Sequence, residues 1–209
     1  MEFVGEARKC TDLGYEAAAA RIGCEMAVLR AVVAIETGGR GFDAKGRPKA
    51  LFEPHVFFRL SRGAKRQAAI KAGLAYQKWG TRPYPKDSYA RIAAACEIDE
   101  ERALQATSWG LPQLLGRNHS AAGYETAVGM VEAFRESEDI QLAAMARFIV
   151  ANRLDAALER KDWVAFAKGY NGPSYATHGY HRKLAEAYEH FRAKQPQPVA
   201  ESLTPEVKN

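Results

Sequence analysis

No apolar run in this chain comes near the roughly 18 residues needed to span a bilayer. A block such as Ala31 to Ile35 is closed off by Arg30 and Glu36, so no stable membrane insertion is expected. Residues Met1 to Lys9 mix Glu2, Glu6, Arg8 and Lys9 with no hydrophobic stretch, and no secretory signal is expected there. Cysteine is scarce. Cys10, Cys24 and Cys96 are odd in number and lack CxxC or CxxH spacing, which argues against a paired disulfide framework and against zinc. They read as small buried apolar residues of a protein made under reducing conditions. Alternating Val, Ile and Thr are almost missing, which disfavours an extended sheet, and no internal repeat is visible.

What is there suits one globular domain: 209 residues, of which 47% are hydrophobic and 26% charged. A chain of this size buries roughly 70% of the surface that its unfolded form exposes, so it needs no staple. Thirty Lys plus Arg against 25 Asp plus Glu leave +5, which favours an anionic partner such as nucleic acid, lipid headgroups or bacterial wall. The one local cluster, Arg59, Arg62, Lys65 and Arg66, reads first as a solvated helix face.

Apolar residues recur at intervals of three and four, so the chain reads as mainly α. A helix pair is predicted over Leu13 to Ile22 and Glu25 to Glu36, interrupted at Gly23 and stopped by Gly38 and Gly39. The helical period fails from Arg40 to Phe58, which leaves room for a short β element near residues 40–60. Helix is predicted again over Gly63 to Gln77, near Tyr89 and over Glu100 to Thr107, with a loop at Trp79 to Lys86. Asp139 is taken as the N-cap of a long helix to about Arg160, and Asp162 as the cap of Trp163 to Lys168. A last helix is expected at Ala176 to Ala193. The boundaries expected are a catalytic domain at 1–193 and a flexible C-terminal tail at 194–209, where prolines abound and little can be buried.

Glu36 interrupts this pattern. It extends the stripe Leu29, Val32, Val33 in the last turn of its helix, where burial and the negative helix end both disfavour a carboxylate and raise its pKa. A carboxyl still protonated near neutrality is what a general acid requires. The competing reading is an ion pair with Arg30 or Arg40. Two glycines after the acid leave open space for a bulky ligand.

Three segments carry a family resemblance. The segment AVVAIETGGRGFDAKGRPKALFEPHVFFRL, Ala31 to Leu60, resembles the signature of the phage-type N-acetylmuramidase family of endolysins. ATSWGLPQLLGRNH, Ala106 to His119, resembles the Ser-x-Gly-Leu-x-Gln element of soluble lytic transglycosylases and goose-type lysozymes. DWVAFAKGYNGPSYATHGYHRKLAEAY, Asp162 to Tyr188, resembles their Tyr-Asn-Gly-Pro element. The resemblance implies a lysozyme-like, mainly α muramidase fold, cleavage of peptidoglycan between N-acetylmuramic acid and N-acetylglucosamine, and Glu36 as general acid. Pro112 departs from the transglycosylase pattern, where methionine is usual, and removes a backbone donor.

Glycosidases commonly pair two carboxyls. Glu53 is the leading second candidate and Asp43 the runner-up, while transglycosylases work with one acid because the substrate's own 6-hydroxyl replaces water. By resemblance Ser108 and Gln113 line the cleft and contact N-acetyl groups, and Tyr170 and Asn171 orient Glu36 or the sugar. Each has a plainer reading: a cap for Ser108, core packing for Tyr170, a turn for Asn171. Trp109 and Tyr124 are weaker candidates for sugar stacking. His55, His119, His178 and His181 form no HExxH-like set, so neither metal nor cofactor is expected.

The expected partner is the glycan strand of peptidoglycan, not nucleic acid, engaged by a monomer made in a host cytoplasm and released to the wall by a holin-type route. Alternatives are a lytic transglycosylase forming 1,6-anhydro ends, a non-catalytic basic module binding wall polymer or nucleic acid, and a metal-dependent amidase or peptidase.

Overall fold

The computed structural model describes residues 2–172, 176 and 179–194; the expected tail beyond Lys194 and His178 lie outside the described residues. Helices α1 (Asp12–Ile22) and α2 (Met26–Thr37) form the predicted pair. Gly23 ends α1 in the left-handed conformation, at φ 80°, and Gly38 ends α2 likewise at φ 64°. Then follow β1 (Ala50–Phe52), α3 (Pro54–Leu60), α4 (Gly63–Lys71), α5 (Tyr89–Gln105), β2 (Thr107–Trp109) and β3 (Leu114–Leu115). A 3-10 turn at Gly116–Asn118 precedes α6 (Ala127–Phe134), α7 (Glu138–Ala151), α8 (Asp155–Glu159), α9 (Trp163–Asn171) and α10 (Tyr180–Ala193). The fold is thus mainly α.

The three strands form one antiparallel sheet in the order β1-β2-β3, with Leu51 opposite Ser108 and Ser108 opposite Leu115. The short β element expected near 40–60 is β1. Its partners at 107–115 were not read from the sequence. Nor was α3, where Pro54 at the first helical turn starts a helix inside the stretch taken as irregular. Asp139 does not cap α7. Ser137 does, its side chain accepting from Ile140 N, and Asp139 instead accepts from Thr11 N and Oγ1, tying α7 to the start of α1. The long helix also breaks at Arg153, with φ 57°, so 138–160 becomes α7 and α8. Asp162 caps α9 as predicted, accepting from Ala165 N.

Apolar side chains gather in two cores. One joins α1, α2, α9 and α10 through Ile22, Leu29, Val32, Phe166 and Leu184. The other joins the sheet to α3–α6 through Phe52, Phe57, Trp109, Met130 and Phe134. Helix α7 serves both, with Leu142 and Met145 in the first and Ala144 in the second. The three cysteines are half-buried free thiols, and burial pushes Cys24 and Cys96 up to about 11.

Candidate active site

The α2 stripe points Leu29, Val32 and Val33 into the first core at 0–1% exposure. Continuing that stripe leaves Glu36 half-buried in the last turn of α2. Burial raises its pKa, and the hydrogen bond it accepts from Asn171 Nδ2, at 3.0 Å, pulls it partly back. Arg30, one of the two suggested ion-pair partners, is engaged elsewhere: it meets Asp12 at 2.6 Å and lies over the Tyr15 ring. No cation pairs with Glu36 among the described residues. Its charge is therefore destabilised by desolvation without compensation by an arginine or lysine.

Glu36 opens onto a cleft of about 580 Å³, whose other walls are the 43–51 segment, the approach to α5 from Lys86 to Tyr89, and Gln113. Asp43 lies on this wall. Its Oδ1 accepts from the backbone N–H of Lys45 and Arg47, and its Oδ2 from Arg47 Nε at 2.8 Å. The Arg47 guanidinium also reaches Asp87 at 3.0 Å and covers the Tyr89 ring. One arginine thus braces two acids and the mouth of α5, holding the cleft wall in a single arrangement.

Glu53, the leading second-carboxylate candidate, is not brought to that wall. It precedes α3, where Oε2 accepts from the Tyr84 hydroxyl and lies 3.3 Å from His55 Nδ1. Burial raises its pKa, while Tyr84 and the charge of Arg59 oppose the rise. Asp43, the runner-up, shares the cleft with Glu36.

Of the remaining candidates, Gln113 lines the cleft at φ 46°, an uncommon conformation for a residue with a Cβ. The fold holds it there: its side-chain Nε2 donates to Gly110 O at 2.9 Å. The Tyr170 hydroxyl donates to Pro112 O at 3.0 Å rather than to Glu36, and its ring stacks on Phe166. Pro112, which cannot donate, contributes its carbonyl and so locks the 110–113 turn to α9. Asn171 meets Glu36 directly, and its Oδ1 is buried without a hydrogen-bond partner among the described residues. Ser108 caps no helix; it sits half-buried in the central strand, opposite the cleft residue Leu51. Trp109 is fully buried, with its indole N–H on Leu104 O, and cannot stack on a sugar.

Two supports went unread in the sequence. Gln141, fully buried on α7, accepts from Leu111 N and donates to Phe134 O. Glu138, one turn earlier, accepts from Gly41 N at 2.6 Å and Cys10 N at 2.9 Å. Their signal was present: two polar side chains three apart in a helix that is otherwise buried on both sides.

A model of the N-acetylmuramidase family matches residues 25–192. Among solved structures, the crystal structure of a Burkholderia AP3 phage endolysin superposes with a TM-score of 0.80 at 38% identity, covering 89% of this chain and 73% of that one. No curated protein matches the chain.

Proposed function

Because the chain belongs to the N-acetylmuramidase family, and is accordingly a glycoside hydrolase acting on peptidoglycan, we propose that Glu36 is the general acid cleaving the β-1,4 bond between N-acetylmuramic acid and N-acetylglucosamine. The observation that carries this is a half-buried carboxyl without a cationic partner, facing a cleft. Protonated Glu36 gives its proton to the glycosidic oxygen as that oxygen leaves the muramic acid carbon, and an oxocarbenium-like centre develops there. Water adds to that centre and its proton leaves toward Asp43, whose carboxylate is fixed by Arg47 and two backbone N–H groups. Asn171 holds Glu36 in one rotamer, and its second amide atom is available to accept from an acetamido N–H. Gln113 and Ser108 are assigned to the sugar-facing wall, and Tyr170 to the support of Gln113.

Replacing Glu36 with Gln is expected to lower kcat on purified sacculi by roughly 10²–10⁴-fold, the usual share of a general acid. Retention of full activity would sink the assignment. Products with reducing ends support hydrolysis. Anhydro ends would instead assign attack by the substrate's own hydroxyl, a route that Arg47's hold on Asp43 also suits.

The catalytic module is proposed to span residues 1–193 and to act as a monomer on the host wall after holin-type release from the cytoplasm. No described helix is long and apolar enough to cross a membrane. Cytoplasmic expression without a holin should leave cells intact until the membrane is permeabilised.

A further inference from the structure

Between α4 and α5 the chain runs from Ala72 to Ser88 without helix or strand. Leu74 and Ala75 bury its base. Its tip is the turn Lys78 to Thr81, closed by Thr81 Oγ1 donating to Lys78 O at 2.7 Å, with Gly80 at φ 73°. That tip exposes 71% of Trp79. The other two tryptophans differ: Trp109 is fully buried, and Trp163 is half-buried against Tyr188. The loop beneath Trp79 is nevertheless anchored: the Tyr84 hydroxyl, beside the indole, donates to Glu53 Oε2. Two residues after Tyr84, the same loop becomes the cleft wall at Lys86, Asp87 and Ser88.

We propose that Trp79 is a stacking platform for a pyranose ring of the glycan strand outside the cleft, and that Glu53, acting through Tyr84, positions the loop that carries it. An equatorially substituted pyranose presents a face of axial C–H groups, and an exposed indole offers a flat apolar face to meet it. The loop's continuity with the cleft wall at Lys86, Asp87 and Ser88 makes the occupant the same β-1,4-linked N-acetylhexosamine strand. This also gives Glu53 a purpose away from the wall that holds Glu36. The inference rests on the glycan being the substrate, and its test reads binding rather than cleavage.

Cosedimentation with purified sacculi, using the full chain carrying Glu36→Gln, compares affinity with and without Trp79→Ala. The added substitution is expected to weaken binding three- to tenfold, with Trp79→Phe restoring most of it. Tyr84→Phe and Glu53→Leu should weaken binding similarly and make the Trp79 emission more accessible to acrylamide, whereas Glu53→Gln, which keeps an acceptor for Tyr84, should not. Equal affinity of the Trp79→Ala protein overturns the proposal. So does wild-type self-association that Trp79→Ala abolishes while sacculus affinity stays unchanged, since a second copy would then be the occupant. If Trp79-dependent binding persists but the wild-type chain cleaves no glycan, the catalytic reading fails and the platform stands.

Discussion

Glu36 sits where an ionised carboxyl is unwelcome, and that has opposite effects on activity and stability. Its folded pKa is raised above the unfolded value by burial, so the folded state holds the proton more tightly than the unfolded chain does. The destabilisation is complete above the raised pKa and fades as pH falls through it toward the ordinary carboxylate range. Glu36→Gln should therefore unfold at a higher temperature than wild type at neutral pH, and the gap should close on acidification, as thermal melts across pH would record. Asn171 works the other way, since its hydrogen bond lowers the Glu36 pKa. Removing it with Asn171→Ala should move the alkaline limb of the kcat/KM profile to higher pH. The same change should cost up to roughly 100-fold in kcat, the order expected of a catalytic group let out of position.

At the scale of elements, α7 is the part on which the site leans. A Cβ on Gly41 would overlap Gln141 Oε1 and press on Glu138. Gly41→Ala is thus expected to cost about 1–3 kcal/mol as overpacking, measurable by urea denaturation. Helix α2 itself was legible in advance, because the i, i+3, i+4 stripe ended at an acid and two glycines. Asp162 was legible for the same kind of local reason, a capping side chain ahead of an apolar run. Ser108 was not, since a three-residue strand has too few positions to show a period of two, and its partner Leu51 is distant in sequence. Asp139 misled because a long-range contact with Thr11 claims its carboxylate while Ser137 supplies the cap. The choice between Glu53 and Asp43 was not legible, because distance along the chain does not tell which way the turn around Gly46 folds.

For the whole molecule, the net charge of +5 is partly concentrated where it counts: Lys45, Arg47, Lys49 and Lys86 line the cleft beside Asp43 and Asp87. Stem peptides of the wall carry carboxylates, so approach should be electrostatic and screened over about 10 Å at 0.1 M salt. KM on sacculi is expected to rise several-fold between low and ~0.3 M salt, and Lys45→Ala with Lys86→Ala should flatten that dependence. Another whole-molecule feature is the span of the hydrogen bond between Glu36 and Asn171, whose partners are 135 residues apart, together with the packing of α10 against α2. A ribosome adds roughly 5–20 residues per second, so the acid emerges well before anything that aligns it. If Glu36 is the proton donor proposed above, the chain acquires its chemistry only once α9 has been made, and a polypeptide stopped before Asn171 carries the acid with no means of aiming it.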